Sequence, residues 1–395
     1  MKSVIIAGLA LAASAAFPAQ RLLAQDLTIT NARIIGPDAS VIERGSIVVR
    51  AGKISSVAAG APASTAGKII DAKGLTAMPG FIDGHRHINT GPNEKQQMQA
   101  LLEAGYTTVL SGGGPAEGNI TLRDHIDSGM INGPRIIPSG SFIRLPQTTP
   151  DAARADIRHM HDLGIKFTGE IALTPVPGPS EHELEVLRAI LDEAKKVGVI
   201  VQVHAVSSSA MMAAVNAGVP LLVHIPNKDW VSKEDAKKLA ASGTKALGTV
   251  SFGSPVFGVF ANDNKPRFRD GKPWPEGIVD GVRLGEEAGY MPVNARTLWD
   301  AGAVLGYCTD TNYDPKAGLD HELKMLNVMF SMRDLIKMMG PNTASYIQMG
   351  DQLGTLETGK LADIILLDGD PLEGYWNWLK TKVVVKGGKV VVDKR

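Results

Sequence analysis

A chain of 395 residues with 44% hydrophobic side chains can bury a sizeable core, as one large domain or two ordinary ones. Lys plus Arg equals Asp plus Glu at 41 each, and no Lys/Arg block stands out, so nothing points to a nucleic-acid or anionic-membrane partner. Cys308 is the single cysteine, which excludes an intrachain disulfide.

Residues 1–24 read as a secretory signal peptide. Lys2 precedes an apolar run from Val4 to Phe17, and small residues lead to a cut after Ala24. The run is shorter than the roughly 20 residues that span a bilayer, and no later segment is long and apolar enough. The mature protein is therefore expected in the periplasm or secreted, with no membrane span.

Residues 25–77 alternate as strands, in Leu27-Thr28-Ile29-Thr30 and Ser46-Ile47-Val48-Val49-Arg50, with turns at Gly36-Pro37, Gly45, Gly52 and Gly60. Residues 354–395 behave alike. Ala362–Leu367 reads as a strand, and Val383–Val385 and Val390–Val392 flank a Gly387-Gly388 hairpin turn. The two ends of the chain are expected to build one small β-sandwich domain.

Between them, residues 78–353 alternate strand and helix. The strands are Met78–Asp83, Thr107–Ser111, Arg135–Ser139, Ile165–Thr168, Ile200–Ala205, Leu221–Ile225, Ala246–Ser251 and Val304–Thr309, with helices such as Glu181–Lys196 and Ser209–Ala217 between them. Eight such units predict an α/β fold of the (β/α)8 TIM-barrel type. The doubly wound alternative has no G-x-G-x-x-G or G-x-x-x-x-G-K-[ST] run to support it.

Metal-capable side chains recur at the ends of these strands, where barrel active sites are built. Pro79-Gly80-Phe81-Ile82-Asp83-Gly84-His85-Arg86-His87 carries two histidines one residue apart, which strand periodicity puts on one face. His204 ends the fifth strand, His224 the sixth, and Asp310 follows the eighth. Any one alone reads as an ordinary core or loop residue; together they point to a metal site. Lys166 stands among apolar residues of the fourth strand, where a lysine needs a partner.

These runs, with the tail Leu353-Gly354-Thr355-Leu356-Glu357-Thr358-Gly359-Lys360-Leu361-Ala362-Asp363-Ile364-Ile365, resemble the amidohydrolase superfamily over essentially the whole mature chain. The Pro79–Asp83 run is similar to those of imidodipeptidase-like and aryl-amide hydrolase-like branches. The resemblance implies a metal-dependent hydrolase with two divalent ions, most simply zinc, that activate water. It implies that a carboxylated Lys166 bridges the metals, that His85, His87 and Asp310 hold the more buried ion, and that His204 and His224 hold the exposed one. Asp310 would be the general base and then acid. Glu170 is the alternative bridging ligand. Ser207 stands where mononuclear deaminases of the superfamily carry glutamate, which speaks against deamination.

An amide-type C–N bond is the expected target, with lactone or ester hydrolysis the alternative, since the same activated water attacks either carbonyl. A metal-free barrel kept for assembly is disfavoured, because every expected ligand position is filled. Arg144, placed to pair with a substrate carboxylate, Tyr313 and His321, the last opening a helix capped by Asp320, are candidate substrate contacts. The loop from Phe252 to Trp274 is a candidate substrate wall. The substrate is expected to be a small molecule, and the sequence is compatible with a homo-oligomer.

Overall fold

The computed structural model describes residues 25–251, 281–311 and 314–395. The signal peptide expected at 1–24, the loop Phe252–Trp274 and Tyr313 lie outside them. In chain order the structure runs through β1 (Leu27–Ile35), β2 (Val41–Arg50), β3 (Lys53–Ala59), β4 (Lys68–Asp71), β5 (Thr76–Pro79) and β6 (Phe81–Arg86). Next come α1 (Glu94–Ala104), β7 (Tyr106–Ser111), α2 (Ala116–Asp127), β8 (Arg135–Ile137), β9 (Ile143–Arg144), α3 (Pro150–Asp162), β10 (Phe167–Ala172), α4 (Glu181–Val197) and β11 (Ile200–His204). Then follow α5 (Ser208–Asn216), β12 (Leu221–Val223), α6 (Lys233–Ser242), β13 (Lys245–Gly248), α7 (Gly281–Asp300), β14 (Leu305–Tyr307), α8 (Pro315–Met329), α9 (Met332–Lys337) and α10 (Thr343–Tyr346). The chain closes with β15 (Ile364–Leu367), β16 (Thr381–Lys386) and β17 (Lys389–Asp393). Among the described residues, no helix is long and apolar enough to cross a membrane.

Both chain ends enter one mixed sheet of eight strands. Its order is β17-β16-β15-β5-β1-β2-β3, with β4 paired to β1. Alternate residues of these strands, including Ile29, Ile47, Ile70, Ile364 and Val383, form a hydrophobic cluster of their own. Gly387 and Gly388 both take positive φ, as the tight β16–β17 turn requires.

The middle of the chain is α/β with parallel strands. One sheet runs β14-β13-β12-β11-β10-β9 and the other β6-β7-β8. Their edges meet twice. Ser139 bridges Phe167, and the Asp310 N–H donates to the His85 carbonyl at 2.9 Å. Side chains on one face of the strands, such as Val109, Ile143, Ile171 and Val203, share a core with the helices. Those on the other face, including Ile82, Leu110, Phe167, Leu221 and Leu247, pack with Tyr346 and Ile347.

Three boundaries differ from the sequence reading. Met78 belongs to β5 of the mixed sheet; the chain crosses to β6 at Gly80, where a Cβ would lie 2.3 Å from the Thr107 side chain. Helix α8 begins at Pro315 and is capped by Asp314, whose side chain accepts from the Ala317 N–H. His321 is therefore inside the helix, and Asp320 pairs with Lys324 at 2.6 Å instead of capping.

The third difference decides the chemistry. Strand β10 starts at Phe167, so Lys166 precedes it and is exposed. The pairing of β10 with β11 then slips between Phe167 and Glu170. This bulge reverses the alternation: Phe167 packs in the inner cluster, yet Ile171, four residues on, faces the helices. Gly169 sits at the slip, where a Cβ would lie 2.3 Å from the Gly140 carbonyl oxygen and 2.5 Å from that of Ser141. Backbone atoms cannot swing aside as a side-chain tip can. Gly169→Ala is therefore expected to destabilise the fold by about 1–3 kcal/mol and to displace the neighbouring Glu170; an unchanged melting temperature would contradict the close approach.

Candidate metal centre

Five strands deliver polar side chains to one point. His85 closes β6 and is buried, while His87, just beyond it, keeps 43% of its side chain exposed. The pairing of β6 with β7 slips between Asp83 and Arg86, which re-aims this strand end. Glu170 comes from β10, His204 ends β11, His224 follows β12, and Asp310 follows β14. One donor atom each from His85, Glu170, His224 and Asp310 falls within a 4.8 Å span. His224 and Asp310 have φ of 72° and 50°. A non-glycine residue held there costs about 1–3 kcal/mol, and here both turns occur at strand exits where a side chain must swing to the centre.

Glu170 organises the cluster. Its Oε1 lies 3.0 Å from His85 Nε2 and 3.3 Å from His87 Nε2. Its Oε2 lies 2.6 Å from His204 Nδ1 and 3.6 Å from His224 Nε2. Asp310 Oδ1 is 3.0 Å from His87 Nε2 and 3.4 Å from His85 Nε2, and Oδ2 is 3.8 Å from His224 Nε2. Both carboxylates are costly to bury, but hydrogen bonds from the imidazoles hold them far below the usual carboxylate range. Burial opposes charge on His85, yet its bonds to Asp310 and Glu170 push it up to about 10. Bonds to the same two carboxylates push His87 up to about 9. Burial draws His224 below its ordinary value.

A divalent cation fits this donor set. Carboxylate oxygens and the unprotonated nitrogens of neutral imidazoles are all acceptors, so only protons or a metal between them relieve their convergence. Gly112 leaves the flank of the site open, since a Cβ there would lie 2.8 Å from His85 Nε2. His224 Nδ1 is 2.6 Å from Thr249 Oγ1, a bond that frees Nε2 to face the centre.

A second layer holds the ligands in register. The buried Asp83 accepts from the His85 N–H at 3.2 Å, the Thr309 N–H at 3.1 Å and the Thr309 hydroxyl at 2.5 Å. Arg86 Nη1 donates to the same hydroxyl at 3.1 Å. This clamp ties the β6 end, with His85, to the residue before Asp310. Buried Glu322 of α8 accepts from the N–H groups of Val250 and Ser251 at 2.8 Å each, and burial pushes it up to about 8. None of Thr249, Thr309, Asp83, Gly112 or Glu322 was picked out from sequence; the Gly112-Gly113-Gly114 run after β7 is the one signal that a close approach lay there.

The structure brings together His85, His87, His204, His224, Asp310 and the alternative ligand Glu170. It does not bring Lys166, expected as a carboxylated bridge: the lysine is exposed at the opposite end of its strand, and Glu170 lies among the imidazoles in its stead. Arg144 is exposed at the end of β9, and His321 is partly buried within α8. Ser207 caps α5, accepting from the Ala210 N–H.

Because His85 and His87 titrate near 10 and 9, both are charged at pH 8 without metal, and a metal needs them neutral. Loading zinc into metal-free protein at pH 8 should release protons, and the release should vanish as pH rises above about 10. A lightly buffered titration measures this; stoichiometric uptake without acidification would refute the assignment of these two ligands.

Comparisons with known proteins agree with the geometry. The model of the amidohydrolase family matches residues 76–244 and 292–391. The imidazolonepropionase of Caldanaerobacter subterraneus subsp. tengcongensis is 23% identical over 413 residues, covering 89% of this chain and 91% of its own. A putative prolidase from Bifidobacterium longum superposes with a TM-score of 0.77 at 26% identity, over 94% of this chain and 97% of its own. A Xaa-Pro dipeptidase solved with methionine in its active site gives 0.78 at 23% identity, over 93% and 100%. With the family model spanning well over half of its length, the chain belongs to the amidohydrolase family.

Proposed function

We propose that this protein is an exported hydrolase that cleaves an amide-type C–N bond at a two-metal centre bridged by Glu170. The observation that carries the reading is the division of Glu170: Oε1 faces His85 and His87, and Oε2 faces His204 and His224. A carboxylate set between two imidazole pairs suits one ion on each side. Asp310 would complete the His85–His87 side. Mostly imidazole donors favour zinc. The two edge contacts between the parallel sheets support closure of β6–β8 and β10–β14 into one eight-stranded barrel, with short β9 prolonging the β8 position, and the separate cluster of the mixed sheet supports a small sandwich beside it. Prolidase-type structural neighbours favour C–N hydrolysis.

When bound, the ions would polarise the scissile carbonyl and make water a nucleophile near neutral pH. The chain's own contribution is positional and proton-moving. Asp310 is held ionised, with Oδ1 beside His87 and Oδ2 toward His224, so it can take a proton from the attacking water and pass it to the leaving nitrogen. The Asp83–Thr309 clamp fixes that carboxylate relative to His85.

Purified protein is expected to hold two zinc equivalents and to hydrolyse members of an amide and dipeptide panel; turnover confined to lactones or esters would replace the amide reading. Glu170→Gln should lose metal and activity together. Lys166→Ala should keep both, whereas a metal-depleted Lys166→Ala would restore the lysine bridge. Asp310→Asn should keep the fold and lose roughly 10²–10⁴-fold in kcat.

Export rests on Lys2 and the Val4–Phe17 run. Intact mass of the protein from its native host should correspond to a start near Gln25; a mature chain beginning at Met1 would refute export by cleavage.

A further inference from the structure

Short strand β9 continues the ligand-bearing sheet by one more rung. Ile143 pairs with Ile171, and Arg144 with Ala172. On the other side of β10, Ala172 pairs with His204. Arg144, Ala172 and His204 therefore stand side by side at one level of a parallel sheet. In such a sheet paired residues share a face. Ile143, Ile171 and Val203 all pack in the core shared with the helices, so their neighbours Arg144, Ala172 and His204 face the other way, toward Glu170. Ala172, which stands between Arg144 and His204, carries only a methyl group.

Arg144 is exposed, and among the described residues no carboxylate pairs with it. Its guanidinium carbon lies 5.0 Å from the centroid of the Phe142 ring, close enough for a cation–π contact that orients the planar fork. Phe142 itself is 40% exposed, a large apolar side chain left at the rim. A pre-oriented cation with no carboxylate partner among the described residues, one small residue away from His204, is built to receive an anion.

We propose that Arg144 is a specificity-determining residue that binds a carboxylate of the substrate, so that the preferred substrates are amides bearing a free carboxylate, such as N-acyl amino acids. This rests on the amide-hydrolase reading above. The fork matches a carboxylate through two parallel N–H donors, which lysine does not reproduce.

The test uses metal-loaded full-length protein and matched pairs: N-acetyl amino acids and dipeptides against the same compounds with the carboxylate converted to a neutral carboxamide. Wild type should prefer the acid. In Arg144→Met the ratio of kcat/KM for acid over carboxamide should fall by about 10- to 100-fold, carried by KM. Arg144→Lys should recover part of the preference. A general structural role would lower both forms together and leave the ratio unchanged, which would overturn the proposal. If wild type turns over neither form, the amide reading fails separately, and calorimetric binding of the N-acetyl amino acids and their carboxamides decides about Arg144. Acid preferred by wild type and not by Arg144→Met supports the assignment; equal binding of acid and carboxamide, or a preference that survives in Arg144→Met, overturns it.

Discussion

Two carboxylates buried among four imidazoles set the terms for the surrounding structure. Glu170 and Asp310 are tolerable inside the protein only because positive charge, from protons or metal ions, lies within hydrogen-bond distance of their oxygens. That requirement forces five strand ends to converge to within a few ångströms. The strained φ of His224 and Asp310, the slip in β6 and the slip in β10 are local costs of that convergence. They persist because the surroundings over-determine them. Asp83 engages both the His85 N–H of β6 and the residue preceding Asp310, so the two strand ends cannot drift apart without stranding a buried acid.

Much of this was legible in the sequence, and what was not has identifiable causes. The histidine pair after Pro79–Asp83 and the single metal-capable residues at later strand ends do converge in the structure, because each stands where its strand ends. Lys166 misled because β10 is not uniform. A period-two reading carried from Ile165 onward puts lysine on the inner face, but the strand begins one residue later and its bulge at Gly169 exchanges the faces before Glu170. Glycine inside a strand was the available sign of that bulge. The partners Thr249, Thr309 and Glu322 are ordinary polar residues in the sequence; their meaning lies in contacts that only the fold creates.

At the ends of the chain the alternating valines and the Gly387-Gly388 turn announced strands, and both ends do enter one sheet. The boundary at Met78 was misplaced because β5 and β6 are almost continuous in sequence. Gly80 separates them. It donates its N–H to the Asp363 carbonyl of the C-terminal segment and passes so close to Thr107 that a side chain would not fit. One residue thus hands the chain from the mixed sheet to the parallel strands, and His85 follows only five positions later.

The same sheet carries a consequence for how the chain acquires its structure. Strand β5 lies between β1 and β15, and Pro79 pairs with Ile364, 285 positions further along the chain. Contacts of such high contact order form late, because a long loop must close before they return any stabilisation. Until the last strands arrive, β5 presents an open edge, the kind of edge on which aggregation begins. Since β5 leads through Gly80 directly into β6, the strand that carries His85 cannot be fully anchored before β15 has been made. The parallel-strand half of the molecule therefore waits on β15.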